Sequence, residues 1–147
     1  MLQTMTLSRL FLCAVGLSAL CGCRTAKDDF VKGADIGWIT QIENRGQYQL
    51  VDANGKPAEA HDILKQVGMS AIRIRVWVNP ATDPKDGVAY CGVQDVVNKA
   101  VRACDKGMDV MIDFHYSNWW ADPGKQYVPR EWAQCSITEM CDSMAAH

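Results

Sequence analysis

The sequence predicts an α/β fold, a parallel (β/α)8 TIM barrel of which these residues supply roughly the first three βα units. Three observations carry that expectation. Apolar runs with strand period alternate with apolar residues at helical spacing, the order that right-handed crossovers turn into a parallel sheet. Polar and aromatic residues gather where three successive strands end: Asp35, then Arg75 with Trp77, then Asp113 with His115. Parallel sheets bind ligands at those carboxyl ends. No glycine-rich phosphate loop follows the first strand, which disfavours a nucleotide-binding sheet. A complete barrel needs about 250 residues, and this chain has 147.

The elements follow in order. Residues 30–38 read as a short strand ending near Asp35. Residues 48–57 are polar and carry Asp52-Ala53-Asn54-Gly55, a turn signal. Residues 58–67 read as a helix with Ile63, Leu64 and Val67 on one face and Gly68 as its stop. Residues 71–78 alternate, with Ile72, Ile74 and Val76 to one side and Arg73, Arg75 and Trp77 to the other, and Pro80 ends the strand. Residues 93–104 place Val93, Val96, Val97, Ala100, Val101 and Cys104 at helical spacing before Gly107. Residues 108–114 form the third strand, whose apolar run predicts a buried position. Residues 136–146 read as a last helix.

Residues 1–23 read as an export signal. Arg9 precedes an apolar stretch, 10–20, that is too short for a permanent membrane span. Leu20-Cys21-Gly22-Cys23 resembles a bacterial lipoprotein cleavage box, which would leave Cys23 as the acylated first residue of the mature chain. The unusual feature of that box is Cys21. Residues 24–29 are then a tether, with Lys27, Asp28 and Asp29 resembling an acidic surface-sorting tag, and 30–147 the catalytic-domain portion. The expected location is lipid-anchored on the outer membrane or cell surface, or in the periplasm, of a Gram-negative bacterium, with the membrane reached through the lipid on Cys23. A net charge of −2 with both signs interspersed excludes a basic nucleic-acid surface. Cys91, Cys104, Cys135 and Cys141 show no C-x-x-C pairing, and Cys104, on the apolar stripe, is expected as a buried free thiol. No metal cluster is visible.

The most informative run is 110–124, VMIDFHYSNWWADPG. An apolar strand delivers Asp113, His115 and Tyr116 to its end, and a loop with adjacent tryptophans follows. A sugar ring offers an apolar C–H face for indole and a rim of hydroxyls for polar groups, so these residue types together point to carbohydrate.

Three separated blocks carry a family resemblance: Gly33-Ala34-Asp35-Ile36; Ile72-Arg73-Ile74-Arg75-Val76-Trp77-Val78-Asn79-Pro80; and Met111-Ile112-Asp113-Phe114-His115-Tyr116-Ser117 with Trp120-Ala121-Asp122-Pro123-Gly124-Lys125-Gln126. In this order they resemble the glycoside hydrolase family 53 endo-β-1,4-galactanases. The departures are Gly37, where that family usually has serine, and Asn118, where it usually has aspartate. The resemblance implies a monomeric, retaining enzyme that cleaves internal β-1,4-galactosidic bonds of type I arabinogalactan. Retention requires two carboxylates about 5–5.5 Å apart. In that family both are glutamates on the fourth and seventh strands, so the acid/base and the nucleophile are expected beyond His147 and the fragment alone is expected to be inactive. Calcium occurs in some bacterial members, held by loops also expected beyond His147.

Within the chain the resemblance implies supporting roles for Arg75, which would hold the nucleophile ionised, and for His115. By spacing alone, Arg75 reads equally as a structural ion pair, and a lone histidine is more often a core residue. Arg73 lies deeper and is expected in structural pairing. Asp35, Trp77, Tyr116, Trp119 and Trp120 are the expected substrate-binding residues, with Trp77 equally readable as core. Asp113 is expected to touch these residues rather than the sugar, and Glu131 to be solvated. Two other functions compete: a surface lipoprotein that captures glycan without cutting it, and a related barrel glycosidase acting on another β-glycan.

Overall fold

A computed structural model describes residues 30–147. The expected export signal, the expected lipidation at Cys23 and the expected tether 24–29 lie outside the described residues. β1 (Gly33–Asp35), α1 (Ile39–Arg45), α2 (Ala60–Gln66), β2 (Ala71–Trp77), α3 (Val93–Asp105), β3 (Asp109–His115) and α4 (Ile137–Ala146) follow in order, with a 3₁₀ turn at Arg130–Trp132. The three strands form one parallel sheet in the order β1-β2-β3.

Alternation in β2 sorts the sheet into two faces. Ile72, Ile74 and Val76 turn toward the helices and pack with Val96, Ala103 and Met108, joined by Ile36, Leu64, Met69, Ala100, Val110 and Ile112. Removing such side chains from water drives the layer together, at about 25 cal/mol per Å² of apolar surface. Arg73, Arg75 and Trp77 turn to the opposite face, opposite Met111, Asp113 and His115 of β3.

Three expectations change. α1 was not anticipated. It is only 7 residues long and ends at Gly46 in a left-handed conformation (φ 58°), so its apolar signal is little more than Ile39 and Ile42. Val67 is exposed rather than packed, because α2 stops at Gln66 and turns its buried side through Ala60 and His61. On α3 the buried side runs through Asp95, Val96, Lys99 and Ala103, which leaves Val93, Val97, Val101 and Cys104 exposed. The buried free thiol is instead Cys91. β3 is the outer strand of the described sheet, and there Met111 and Phe114 are 61% and 48% exposed.

Charged side chains tie the helices together outside the core. Arg102 on α3 donates to both oxygens of Glu43 on α1, at 2.8 and 2.7 Å, and to Glu59 Oε1 at 2.6 Å. Lys106 reaches Asp62 at 2.6 Å, and His61 lies 2.5 Å from Glu59. Burial pushes the Glu59 carboxyl up, but hydrogen bonds from His61, Arg102 and Lys106 outweigh it and hold the pKa at about 2. A carboxylate depressed in the native state contributes stability that is fully present above its unfolded value of 4.5 and is lost as pH falls toward about 2. Glu59→Gln is therefore expected to flatten the fall of melting temperature across that acid window. An acid slope identical to wild type in thermal melts would remove Glu59 as its source.

Candidate carbohydrate site

The site is built where the three strands end on the face away from the helices. β1 ends at Asp35, and the turn that follows folds back so that Gly37 N–H donates to Asp35 Oδ1 at 3.0 Å. The same oxygen accepts from Arg75 Nη2 at 2.6 Å. Burial pushes the Asp35 carboxyl up, but the Gly37 N–H and the Arg75 guanidinium prevail and hold it below the usual aspartate range. Arg73 bridges Asp35, at 3.3 Å, and Asp113, so both inward carboxylates are engaged by arginine. Arg75 is itself only 4% exposed, and its Nη1 is buried with no hydrogen-bond partner among the described residues. A buried guanidinium with a spare donor is prepared for another acceptor, and a carboxylate suits it best.

His115 is held on both sides. Trp77 Nε1–H donates to its Nδ1 at 3.3 Å, and its Nε2 lies 2.9 Å from Asp113 Oδ2. With Nδ1 accepting, the proton sits on Nε2 and is given to Asp113. Both ring nitrogens are thus used within the protein.

Above this polar layer lie four tryptophans. Trp77 is 1% exposed and sits beneath Trp38, Trp119 and Trp120, with ring centroids 5.9, 4.7 and 5.8 Å away. The Arg75 guanidinium carbon lies 4.0 Å from the Trp120 centroid, a cation–π contact that fixes the ring. Trp119 remains 54% exposed. It borders a cleft of about 370 Å³ lined also by Ala81, Ser117, Asn118, Trp120, Tyr127, Val128 and Arg130. An exposed indole over such a cleft can take the C–H face of a sugar.

Both departures from the family pattern make contacts here. A Cβ at Gly37 would stand 2.7 Å from Arg75 Nη2, so glycine lets the guanidinium lie against the turn. Asn118 Nδ2 donates to Val78 O at 2.6 Å and to Glu131 Oε2 at 2.8 Å, while its Oδ1 accepts from Arg130 N–H at 2.8 Å. This one amide ties the β2 end to the loop carrying the tryptophans. Asn118→Asp keeps the acceptor but loses the donor, and sets a carboxylate against Glu131. We expect a loss of about 1–3 kcal/mol; an unchanged denaturation midpoint would show the loop is held otherwise.

Asp35, Arg75, Trp77, Asp113, His115, Trp119 and Trp120 come together as one cluster. Trp77, equally readable from the sequence as substrate-binding or as core, is the buried floor beneath the other rings. Tyr116 does not join the cluster. It faces the other way, stacking on Phe114 (6.3 Å) and packing near Trp132 (6.1 Å), because successive strand residues point to opposite faces. Trp38 was missed by sequence reasoning, although it lies three residues beyond Asp35 in a turn, where an aromatic is a usable signal. Glu131, exposed as expected, is the Asn118 partner. Among the described residues no group of three or more His, Cys, Asp or Glu side chains could hold a metal ion.

The sequence model named Glycosyl hydrolase family 53 matches residues 31–147. The chain belongs to glycoside hydrolase family 53. It is 42% identical over 113 residues to the endo-beta-1,4-galactanase of Bacillus subtilis, covering 74% of this chain and 26% of that protein. It is 32% identical over 127 residues to the arabinogalactan endo-beta-1,4-galactanase of Cellvibrio japonicus, covering 86% and 32%. The solved family 53 catalytic domain of Ignisphaera aggregans superposes with a TM-score of 0.67 at 37% identity, over 80% of this chain and 33% of that one. The chain therefore spans about a quarter to a third of the relatives it matches. Family 53 membership identifies the three-stranded parallel sheet as part of a (β/α)8 barrel.

Proposed function

We propose that the whole protein is a retaining endo-β-1,4-galactanase acting on pectic galactan. The observation that carries the reading is Arg75: buried, pinned to Asp35 through one nitrogen, packed on Trp120, and left with an unpartnered Nη1 among the described residues. Such a group can hold the nucleophilic carboxylate ionised and aligned. Trp119 and Trp120 serve as the sugar platform, and Asp113 and His115 brace the polar floor. Asp35 and Asp113 are engaged by arginine; the acid/base and nucleophile come from later strands. The relatives named as galactanases support the substrate. The protein works as a monomer, lipid-anchored through Cys23 at the cell surface or facing the periplasm.

The test is reducing-end release by the purified full-length protein from galactan, xylan and mannan, with proton NMR of the first product anomer. Galactan cleavage with β-anomer released first is the expected result. Cleavage of xylan or mannan in preference would move the protein to another β-glycan, and binding of galactan without cleavage would make it a capture lipoprotein.

A further inference from the structure

α3 buries a charge that the site described above does not use. Lys99 is 0% exposed and Asp95 is 7% exposed, with Lys99 Nζ 2.6 Å from Asp95 Oδ2. Replacing such a pair by apolar side chains is commonly neutral or stabilising, so stability alone is a weak reason for it. Its other contacts are more informative. Lys99 Nζ donates to Gly37 O at 2.6 Å, and Asp95 Oδ2 accepts from Cys91 N–H at 2.7 Å. Gly37 belongs to the turn whose N–H fixes Asp35, and Asp35 in turn holds Arg75. Cys91, buried and in the left-handed region at φ 61°, accepts from Trp77 N–H at 2.8 Å. A non-glycine residue at such a φ is uncommon and persists where its surroundings impose it.

We propose that Lys99 and Asp95 are positioning residues that clamp the ends of β1 and β2 from behind, setting Asp35, Arg75 and Trp77 for the sugar. Two relays leave one ion pair. The first runs from Lys99 through Gly37 to Asp35 and Arg75. The second runs from Asp95 through Cys91 to Trp77. The 35–37 turn is held from two directions, by Lys99 at its carbonyl and by the Arg75 guanidinium against the Gly37 Cα. The ammonium meets a carbonyl that no neutral side chain of similar length would hold as firmly, since charge-assisted bonds are roughly twice as strong as neutral ones.

The inference rests on the galactanase reading for its catalytic consequence, and two readouts on the full-length protein separate the two. Lys99→Met is expected to speed amide exchange in the 36–38 segment by about tenfold or more, with distant segments unchanged, since local opening is independent of global unfolding. On galactan it is expected to lower kcat by about 10- to 100-fold, as a small misplacement of supporting groups does, with KM held within about threefold. Because Lys99→Met strands a buried carboxylate and is at risk of not folding, Asp95→Asn/Lys99→Met is the second variant. It removes that charge while its amide oxygen still accepts from Cys91 N–H, so exchange should rise at 36–38 and not at 91. Exchange that is unchanged, or faster evenly along the chain, in the variant that folds would overturn the clamp, as would full kcat in either variant. A wild type that leaves galactan uncut but shows the local exchange response would keep the clamp and sink the galactanase reading.

Discussion

Arg75→Met in the full-length protein is expected to lower kcat on galactan by about 10²-fold or more, the size seen when one preorganised electrostatic donor is removed from an active site. The side chain is buried, and its removal deprives Asp35 Oδ1 of a 2.6 Å donor and uncovers the face of Trp120. Asp35 loses the cation that helps hold it ionised, so its pKa rises toward the usual aspartate value. If Arg75 also holds the nucleophile ionised, the acid limb of the kcat pH profile moves to higher pH in the variant. Arg75→Lys keeps the charge but loses the planar fork, and should recover stability without recovering kcat. A variant with wild-type kcat and an unmoved acid limb would reduce Arg75 to a structural ion pair, the alternative that spacing alone left open.

Trp77→Ala is expected to destabilise the protein by about 3–5 kcal/mol, the range for large aromatic truncations in a core. Trp77 is 1% exposed and touches three other tryptophans. Its loss opens a cavity under Trp119 and leaves His115 Nδ1 without the indole donor. Trp77→Phe fills most of the volume but cannot donate, so the difference between the two separates packing from the hydrogen bond. Denaturant midpoints measure both. A loss below about 1 kcal/mol for Trp77→Ala, where core truncations run to several, would show that the indole is not the floor of the site.

Residue by residue, legibility followed the range of the interaction. β2 was readable because its period of two is imposed by the strand itself, and Ile72, Ile74 and Val76 could only face the helices once Arg73, Arg75 and Trp77 faced the other way. The turn at Asp52 was readable for a similar reason: its carboxylate caps the Asn54 and Lys56 amides locally, at 2.8 and 2.9 Å. α3 was harder. Its valines at helical spacing suggested one apolar face, but helix rotation is set by what the helix meets, and Lys99 and Asp95 met buried backbone groups. A lysine in a helix ordinarily reads as solvated, and nothing local to it announces a carbonyl 62 residues away. Tyr116 stands apart from the cluster although it follows His115 in the chain, since adjacent strand residues diverge.

The sequence by itself determined the alternating α/β order, the two faces of β2, the family and the residue types gathered in the candidate site, because each is written in local periodicity or in short contiguous motifs. Tertiary structure alone decided that Trp77 lies beneath rather than within the cleft, that His115 spends both nitrogens on protein partners, and that a lysine on α3 reaches the Gly37 carbonyl. Apart from the local His115–Asp113 contact, those outcomes depend on groups that meet across 38 to 62 residues of chain, and hydrogen-bond partners at such separations are set by packing, on which local propensity is silent.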